Sequence, residues 1–348
     1  MNEQISPLVS IGMPAYNVAP YIEKSIISVL AQTYQNLELL VVDDCGTDNT
    51  IEIVERIKNT HLRGSCIKIL RQSHNMGPGE ARNRTIEEAH GKYLYFLDSD
   101  DYIEPETINL MVQQAEDNHT DLVMASGRGS NICTGETYPI FTYSSYQILT
   151  GKDTFAHFVC RDLRCHVPDT IWNILFSLEF LREKNLRFYA RKDEDALFLS
   201  DYYSEVEKAV LMPDVTYTYV GRPGSIMGNQ ARSVIPIVEI RDRFKTDEVM
   251  TQRCARLKSR SFYDVHCSRV IKHKFRAVCV SLRHFNKFSE RLQYREIRQE
   301  MKHPATFSEI IKFKRYRMFN LFFYILSILP SVVFVGVSYV IGKLMRWI

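Results

Sequence analysis

Over the first hundred residues, short apolar runs alternate with amphipathic stretches. The order is Val9–Met13, Tyr21–Ala31, Leu37–Val42, Thr50–Lys58, Ile67–Leu70, Glu80–Ala89 and Tyr93–Leu97. Short apolar runs rich in β-branched residues and bounded by turn residues read as strands, and the longer periodic stretches between them read as helices. Strand and helix in alternation specify an α/β fold, a mostly parallel sheet flanked by helices. Ligands of such open sheets sit beyond the carboxyl ends of the strands, so the residues just after each run carry the candidate chemistry.

Those residues are polar. Pro14-Ala15-Tyr16-Asn17 follows the first run, where proline fixes a turn and Tyr16 and Asn17 could meet a base or ribose, although an ordinary connecting loop explains them equally well. After the second run comes Asp43-Asp44-Cys45-Gly46-Thr47-Asp48. Thr47 or Asp48 can cap the next helix, whereas Asp43 and Asp44 are not needed for a cap. Asp44 is thus a candidate acceptor for ribose hydroxyls or a base N–H. Arg82, expected in the first turn of a helix that follows Gly77-Pro78-Gly79, opposes the helix dipole; a phosphate sharing the site would explain it, as would simple solvation. The fourth run ends in Asp98-Ser99-Asp100-Asp101. Three carboxylates in so short a stretch repel one another, and a divalent cation with hard oxygen ligands would relieve that repulsion while bridging phosphates. Asp101 and Glu104, ahead of Pro105, are read as a structural acidic cluster at a helix start.

Taken in order, the segments Val9–Asn17, Val41–Asp48, Asn75–Asn83 and Leu97–Asp101 resemble the successive signatures of family 2 inverting glycosyltransferases of the GT-A, Rossmann-like fold. The resemblance implies a nucleotide-sugar donor, with a UDP-sugar expected, and a Mn2+ or Mg2+ ion. It places Pro14, Tyr16 and Asp44 beside the nucleoside, Arg82 beside it or the diphosphate, Asp98 against ribose or sugar, and Asp100 on the metal.

The resemblance continues into an acceptor half. Ile171–Phe176 is read as opening an amphipathic helix, with Trp172 a packing residue rather than a sugar platform. Lys192-Asp193-Glu194-Asp195 precedes the apolar stretch Ala196–Leu199. One carboxylate would cap a helix there, and three invite another explanation. Inversion at an anomeric carbon needs a base to take the proton of the attacking hydroxyl, and the resemblance assigns that role to Asp195, with Glu194 an orienting neighbour or a distant second candidate. Tyr219–Ser225 resembles the loop that closes over the diphosphate in this family, which makes Arg222 a cationic lid or else a turn residue. No Gln-x-x-Arg-Trp signature of processive members occurs, so one sugar per encounter is expected. The rival readings are a sugar nucleotidyltransferase, which would need a Gly-rich loop with a lysine after the first strand, and a catalytically silent nucleotide- or glycan-binding module.

Charge divides the chain. Residues 231–317 hold 22 Lys and Arg against 9 Asp and Glu, within a whole-chain net charge of only +3. This basic third alternates with apolar positions, as in Lys272–Val278, and is read as amphipathic helices that seek an anionic partner. No nucleic-acid motif accompanies the charge, so nucleic acid is not expected. From Met318 to Gly342 no charged residue occurs, and Leu321–Ile341 approaches the thickness of a bilayer. Pro330 would kink a spanning helix or fold it back as a re-entrant hairpin, and a buried helix is the remaining reading. Flanking Lys312, Lys314, Arg315 and Arg317 suit a cytoplasmic domain side. Eight cysteines without paired metal spacing fit a reducing compartment, and the polar Met1–Pro7 lacks the pattern of a signal peptide. The expected organisation is a catalytic domain over 1–228, divided into a nucleotide-sugar half (1–126) and an acceptor half (127–228). A basic helical extension (229–317) and a hydrophobic membrane-associating segment (318–348) follow. Such a protein would sit on the cytoplasmic face of the cell membrane and act on a lipid-linked or cell-surface glycan.

Overall fold

The structure is a computed structural model that describes residues 6–163, 167–189, 192–222 and 233–347. These residues group into two compact units. One lies within Met1–Phe155, Val167–Tyr189 and Asp201–Gly228, and the other within Ala156–His166, Ala190–Ser200 and Asn229–Ile348.

The first unit is built on one ten-stranded sheet. Its opening half runs β1 (Val9–Ala15), α1 (Ile22–Leu30), β2 (Leu37–Asp43), α2 (Thr50–Thr60), β3 (Ile67–Arg71), α3 (Pro78–Glu88) and β4 (Tyr93–Phe96). β1 pairs in parallel with β2 and β4, and β2 with β3. Leu39 and Val41 enter one core, while Leu40 and Val42, pointing the other way, are just as deeply buried. Burial on both faces is why these strands read as nearly continuous apolar runs. Gly12 permits the close approach of α3, since a Cβ there would meet Thr85 Cγ2 at 2.4 Å. Pro14 lies inside β1 opposite Val42 rather than in a turn, because the pairing with β2 continues to Ala15.

The chain continues with β5 (Tyr102–Ile103), α4 (Thr107–Asn118), β6 (Leu122–Asn131), β7 (Thr137–Phe141), β8 (Gln147–Thr150), α5 (Thr154–Val159), β9 (Ile174–Ser177), α6 (Leu178–Glu183), α7 (Glu194–Glu205) and β10 (Lys208–Gly221), of which Ala156–Val159 and Glu194–Ser200 fall in the second unit. The sheet order is β3-β2-β1-β4-β9-β6-β10-β5, with β7 on β6 and β8 on β10. β9 is antiparallel to both β4 and β6, and β5, β7 and β8 also pair antiparallel. The sheet is therefore mixed rather than mostly parallel.

β9 corrects the expectation of a helix opening at Ile171. Asn173 takes a left-handed φ of 60°, and its buried amide donates to the carbonyls of Ala125 and Ser126 at 2.9 and 3.0 Å. That turn delivers Ile174–Phe176 into the gap between β4 and β6. A short run buried on both faces has no periodicity that separates strand from helix, so the vacant place in the sheet decides.

The second unit is helical: α8 (Ile237–Arg253), α9 (Tyr263–Arg283), α10 (Tyr294–Glu300), α11 (Phe307–Ile310), α12 (Arg317–Ile328) and α13 (Ser331–Leu344). Ile271, Phe275 and Val278 of α9 centre its core. Several of its cations have internal partners: Arg241 pairs with Glu296, Lys258 with Glu309 and Arg315 with Asp264. The expected membrane-length segment is instead two helices separated at Leu329-Pro330, because proline has no N–H with which to continue a helix. Among the described residues no helix is long and apolar enough to cross a membrane.

Three helices of this unit share a buried charge network. His273 Nδ1 on α9 lies 2.8 Å from Asp247 Oδ1 on α8. Asp247 Oδ2 and Glu300 Oε1 are buried without any other donor, an arrangement satisfied when Glu300 on α10 keeps its proton and shares it with Asp247. Burial, and then the Asp247 charge, hold Glu300 well above the usual carboxylate range. Burial lowers the His273 pKa, but the hydrogen bond and charge of Asp247 outweigh that and raise it overall. Both groups thus bind protons more tightly folded than unfolded. Their contribution is complete below their ordinary values of 6.5 and 4.5 and is lost as pH rises through the raised folded values. Asp247, held below 3.8, contributes stability that is lost only as pH falls through its lowered value. The Tm of the full chain is expected to fall as pH is raised from about 6 to about 9, and Glu300→Gln, which still donates a hydrogen but cannot ionise, to flatten that fall. A wild-type Tm constant across the range would contradict the shared proton.

Candidate active site

The strand ends of β1, β2 and β4 converge at one edge of the first unit, and the loops that leave them are cross-linked. Tyr16, after β1, is 48% exposed. Asn17, at φ 52°, accepts on Oδ1 from the Thr47 and Asp48 backbone N–H groups at 2.7 and 3.3 Å. Asp48 takes the first N–H of α2, from Thr50, at 3.1 Å and that of Ala19 at 3.0 Å, from one residue ahead of the helix cap, which falls at Asn49. Asp44 is buried, and its carboxylate accepts from Gln72 Nε2 at 2.7 Å and from the backbone N–H groups of Met76 and Gly77 at 2.7 and 2.9 Å. In this structure Asp44 therefore holds the loop that feeds α3. Gly77 adopts φ 90° at the start of that helix, a conformation suited to glycine.

Arg82 lies in the second turn of α3, not the first, because the helix begins at Pro78. Its Nη2 sits 3.0 Å from Asp98 Oδ1, with the arginine side chain 5% exposed and the aspartate 32%. Its guanidinium is 5.7 Å from the centre of the Phe188 ring. Asn83 fixes that phenylalanine by exchanging two 2.8 Å hydrogen bonds with the Phe188 backbone. The cation, for which a phosphate or solvation was expected, has a carboxylate partner here.

The acidic turn after β4 is tied down at every residue. Asp100 Oδ2 accepts from Arg222 Nε at 2.7 Å, with Arg222 Nη2 at the same distance. The Arg222 guanidinium lies 4.6 Å from the centre of the Tyr21 ring. Burial, then the Asp98 charge, push the Asp100 pKa up against the opposing pull of Arg222. Asp101 is buried. It accepts from Tyr217 Oη at 2.6 Å and from the Val220 N–H at 2.7 Å, and burial with the charges of Asp98 and Asp100 raises its pKa well above the usual range. Its role is structural, as expected, but it anchors β10 rather than a helix start, and Glu104 pairs with Arg128. Ser25 Oγ of α1 lies 2.9 and 2.5 Å from the carbonyls of Ser99 and Asp101. Trp172 stacks on Tyr217 with ring centres 4.6 Å apart, the packing role read for it. Arg222 directly follows β10, so Tyr219–Gly221 is strand rather than loop, and Pro223–Ser225 lie outside the described residues.

These residues form a rim of alternating charge, Arg82, Asp98, Asp100 and Arg222, at the carboxyl edge of an α/β sheet. That is where such folds take phosphorylated ligands. The family model for glycosyl transferase family 2 matches residues 10–171. An uncharacterized glycosyltransferase of Haemophilus influenzae is 34% identical over 236 residues, which is 66% of this chain and 85% of that protein. The chain belongs to glycosyl transferase family 2. It is a glycosyltransferase.

Two further relatives extend the comparison. EpsJ, an uncharacterized glycosyltransferase of Bacillus subtilis, is 31% identical over 63% of each chain. The poly(ribitol-phosphate) beta-N-acetylglucosaminyltransferase TarS of Staphylococcus aureus is 34% identical over 60% of this chain, though this stretch spans only 35% of TarS. The crystal structure of S. aureus TarS 1–349 in complex with UDP-GlcNAc has a TM-score of 0.62 at 20% identity, covering 92% of this chain and 90% of that one. That likeness is one of fold.

In this family 2 glycosyltransferase the rim supplies oxygen donors of the kind a hard divalent cation takes, Asp98 and Asp100. Among the described residues no three His, Cys, Asp or Glu side chains are grouped as a ligand set for a metal. A Mg2+ or Mn2+ ion there would have to share one or two carboxylates, now paired with Arg82 and Arg222, with substrate phosphates. Asp195 lies in the first turn of α7. The segment before it is clamped within the second unit. Thr246 Oγ1 donates to the Lys192 carbonyl at 2.7 Å, Lys192 Nζ is 3.6 Å from Glu239, and Arg243 Nε is 2.8 Å from Asp193 Oδ2. Asp193, at φ 52°, is thus explained by its own arginine, which leaves Glu194 and Asp195 on the helix.

Tyr21, Ser25 and Tyr217 had no signal in the sequence, since only the fold brings them to the rim; Asn83 stood in the signature with Arg82, and Phe188 in the stretch Asn185–Phe188 that resembles the family's acceptor-side segment, but the sequence places neither at the rim. Tyr217→Phe would remove a donor from a buried carboxyl group and is expected to destabilise the protein by about 1–3 kcal/mol. Urea unfolding measures this, and a midpoint equal to wild type would show that the Asp101 anchor is not needed.

Proposed function

We propose that this glycosyltransferase is metal-dependent and inverting, and that it moves one sugar from a UDP-sugar to a hydroxyl of a lipid-linked or cell-surface glycan at the cytoplasmic face of the cell membrane. The observation that carries the donor half is the rim itself, two carboxylates and two guanidinium groups at the strand ends. The TarS structures with UDP and UDP-GlcNAc, alike in fold, support a uridine nucleotide as the donor class. Tyr16, exposed beyond β1 beside Pro14, offers a ring face to the base, and Asp44 shapes the loop next to it. Asp98 meets ribose or sugar. Arg82 and Arg222 supply positive charge to a diphosphate, and Asp100 is the protein ligand of a Mn2+ or Mg2+ ion. Such an ion, when bound, would neutralise charge on the departing diphosphate. Asp195 takes the proton of the acceptor hydroxyl as it attacks the face opposite the leaving group.

Two experiments test the reading. Asp195→Asn is expected to lower sugar transfer by about 100-fold or more while leaving UDP binding by calorimetry unchanged, and an active Asn variant refutes the base assignment. Chelation with EDTA is expected to abolish transfer and added Mn2+ to restore it, with Asp100→Asn requiring more Mn2+. Transfer indifferent to the chelator removes the metal and the role given to Asp100.

A further inference from the structure

The outward faces of α12 and α13 are not the polar faces of ordinary surface helices. On α12, Phe323 and Leu326 are buried, and Phe323 packs on Phe275 of α9 with ring centres 4.9 Å apart. Asn320, fully buried, donates to Ser268 Oγ at 2.7 Å and faces His303 Nε2 at 2.9 Å. These contacts fix which side of the helix faces inward. The opposite side presents Met318, Phe322 and Ile325, which are 75%, 47% and 53% exposed. On α13, Phe334 and Ser338 are fully buried, while Val333, Val340 and Leu344 are 48%, 57% and 79% exposed. Each helix thus has an apolar inner face, already used by the core of the second unit, and an apolar outer face that stays roughly half exposed or more. Exposed faces of this kind mark a surface meant to be covered.

Length excludes one way of covering it. At about 1.5 Å per residue, helices of 12 and 14 residues reach roughly 18 and 21 Å, short of the roughly 30 Å hydrocarbon core. Their inner faces are also held by protein. Charge separates the remaining occupants. From Ile310 to the last residue there are six Lys or Arg and no Asp or Glu, and Lys312, Lys314, Lys343 and Arg346 at the two ends are exposed. A second copy meeting this face about a twofold axis would present the same basic ends. A leaflet bearing anionic headgroups instead accepts apolar side chains and attracts the basic ends together.

We infer that α12 and α13 form an in-plane docking surface for an anionic lipid leaflet, with Met318, Phe322, Ile325, Val333, Val340 and Leu344 entering the acyl boundary and the flanking lysines and Arg346 meeting phosphate headgroups. This deepens the membrane placement proposed above and rests on it. The break at Pro330 lets each helix lie along the surface, while the inner faces keep their contacts with α9.

The test is flotation of the full chain with vesicles of phosphatidylcholine alone or with about one-third phosphatidylglycerol. Wild type is expected to float with the anionic vesicles and to be released from them in part by about 0.5 M salt. Phe322→Glu combined with Val333→Glu, both at exposed positions, is expected to lower the bound fraction about tenfold or more at unchanged Tm, and Lys312→Glu with Lys314→Glu to lower it for anionic vesicles only. Absence of flotation with either composition overturns the inference. So does a concentration-dependent oligomer that the apolar substitutions dissolve while no vesicle is bound, which would assign the face to a second copy. Hydrolysis of the sugar nucleotide in solution, measured on the same variants, is expected to match wild type; its loss in every protein, wild type included, would fault the donor reading and leave the lipid result standing.

Discussion

A turn that gathers three carboxylates into four residues at the edge of a buried sheet cannot hold its shape unless their repulsion is opposed, and the first unit is organised around that constraint. Each acid has a different answer. Asp98 meets Arg82 from α3, Asp100 meets Arg222 beyond β10, and Asp101 receives two hydrogens from β10 itself. The turn's carbonyls are held by Ser25 of α1. Segments far apart in the chain therefore meet at one short stretch, and the donor side of the site inherits its geometry from that balance.

The balance also gives the rim its chemical character. Asp100 remains raised despite its arginine because burial and the Asp98 charge outweigh the pairing, so the carboxylate gains from any additional positive charge that reaches it. Arg222 is divided between that carboxylate and the face of Tyr21. For the proposed donor, a diphosphate with its cation, a site of alternating charge would offer each incoming charge a partner already in place. The second unit treats the segment before Asp195 in the same manner, with Arg243 holding Asp193 and Thr246 holding the Lys192 carbonyl.

The parallel half of the sheet was legible because its strands obey local rules. Val9–Met13, Leu37–Val42 and Tyr93–Leu97 are apolar runs separated by amphipathic helices, and the structure departs from those bounds by one or two residues. Among the site residues, the acidic turn was legible as charged groups at a strand end, Arg82 as a cation near a helix start and Arg222 as a lid or turn residue, but their mutual pairing was not. Ile171–Phe176 misled because a strand buried on both faces carries no period. The apolar stretch after Met318 was legible as hydrophobic, but not that Pro330 divides it into two helices or that the core of the second unit takes one side of each.

Composition and pattern, acting through backbone preference and periodicity over a few residues, determined the α/β class, the place of the acidic turn and the helical, basic C-terminal third. Only the tertiary structure decided that Asp44 holds a loop, that Asp101 is an anchor and that Asn173 turns the chain into a central strand. Those outcomes depend on which distant groups arrive within hydrogen-bond distance, and a linear pattern holds no record of distances between segments that the fold alone brings together.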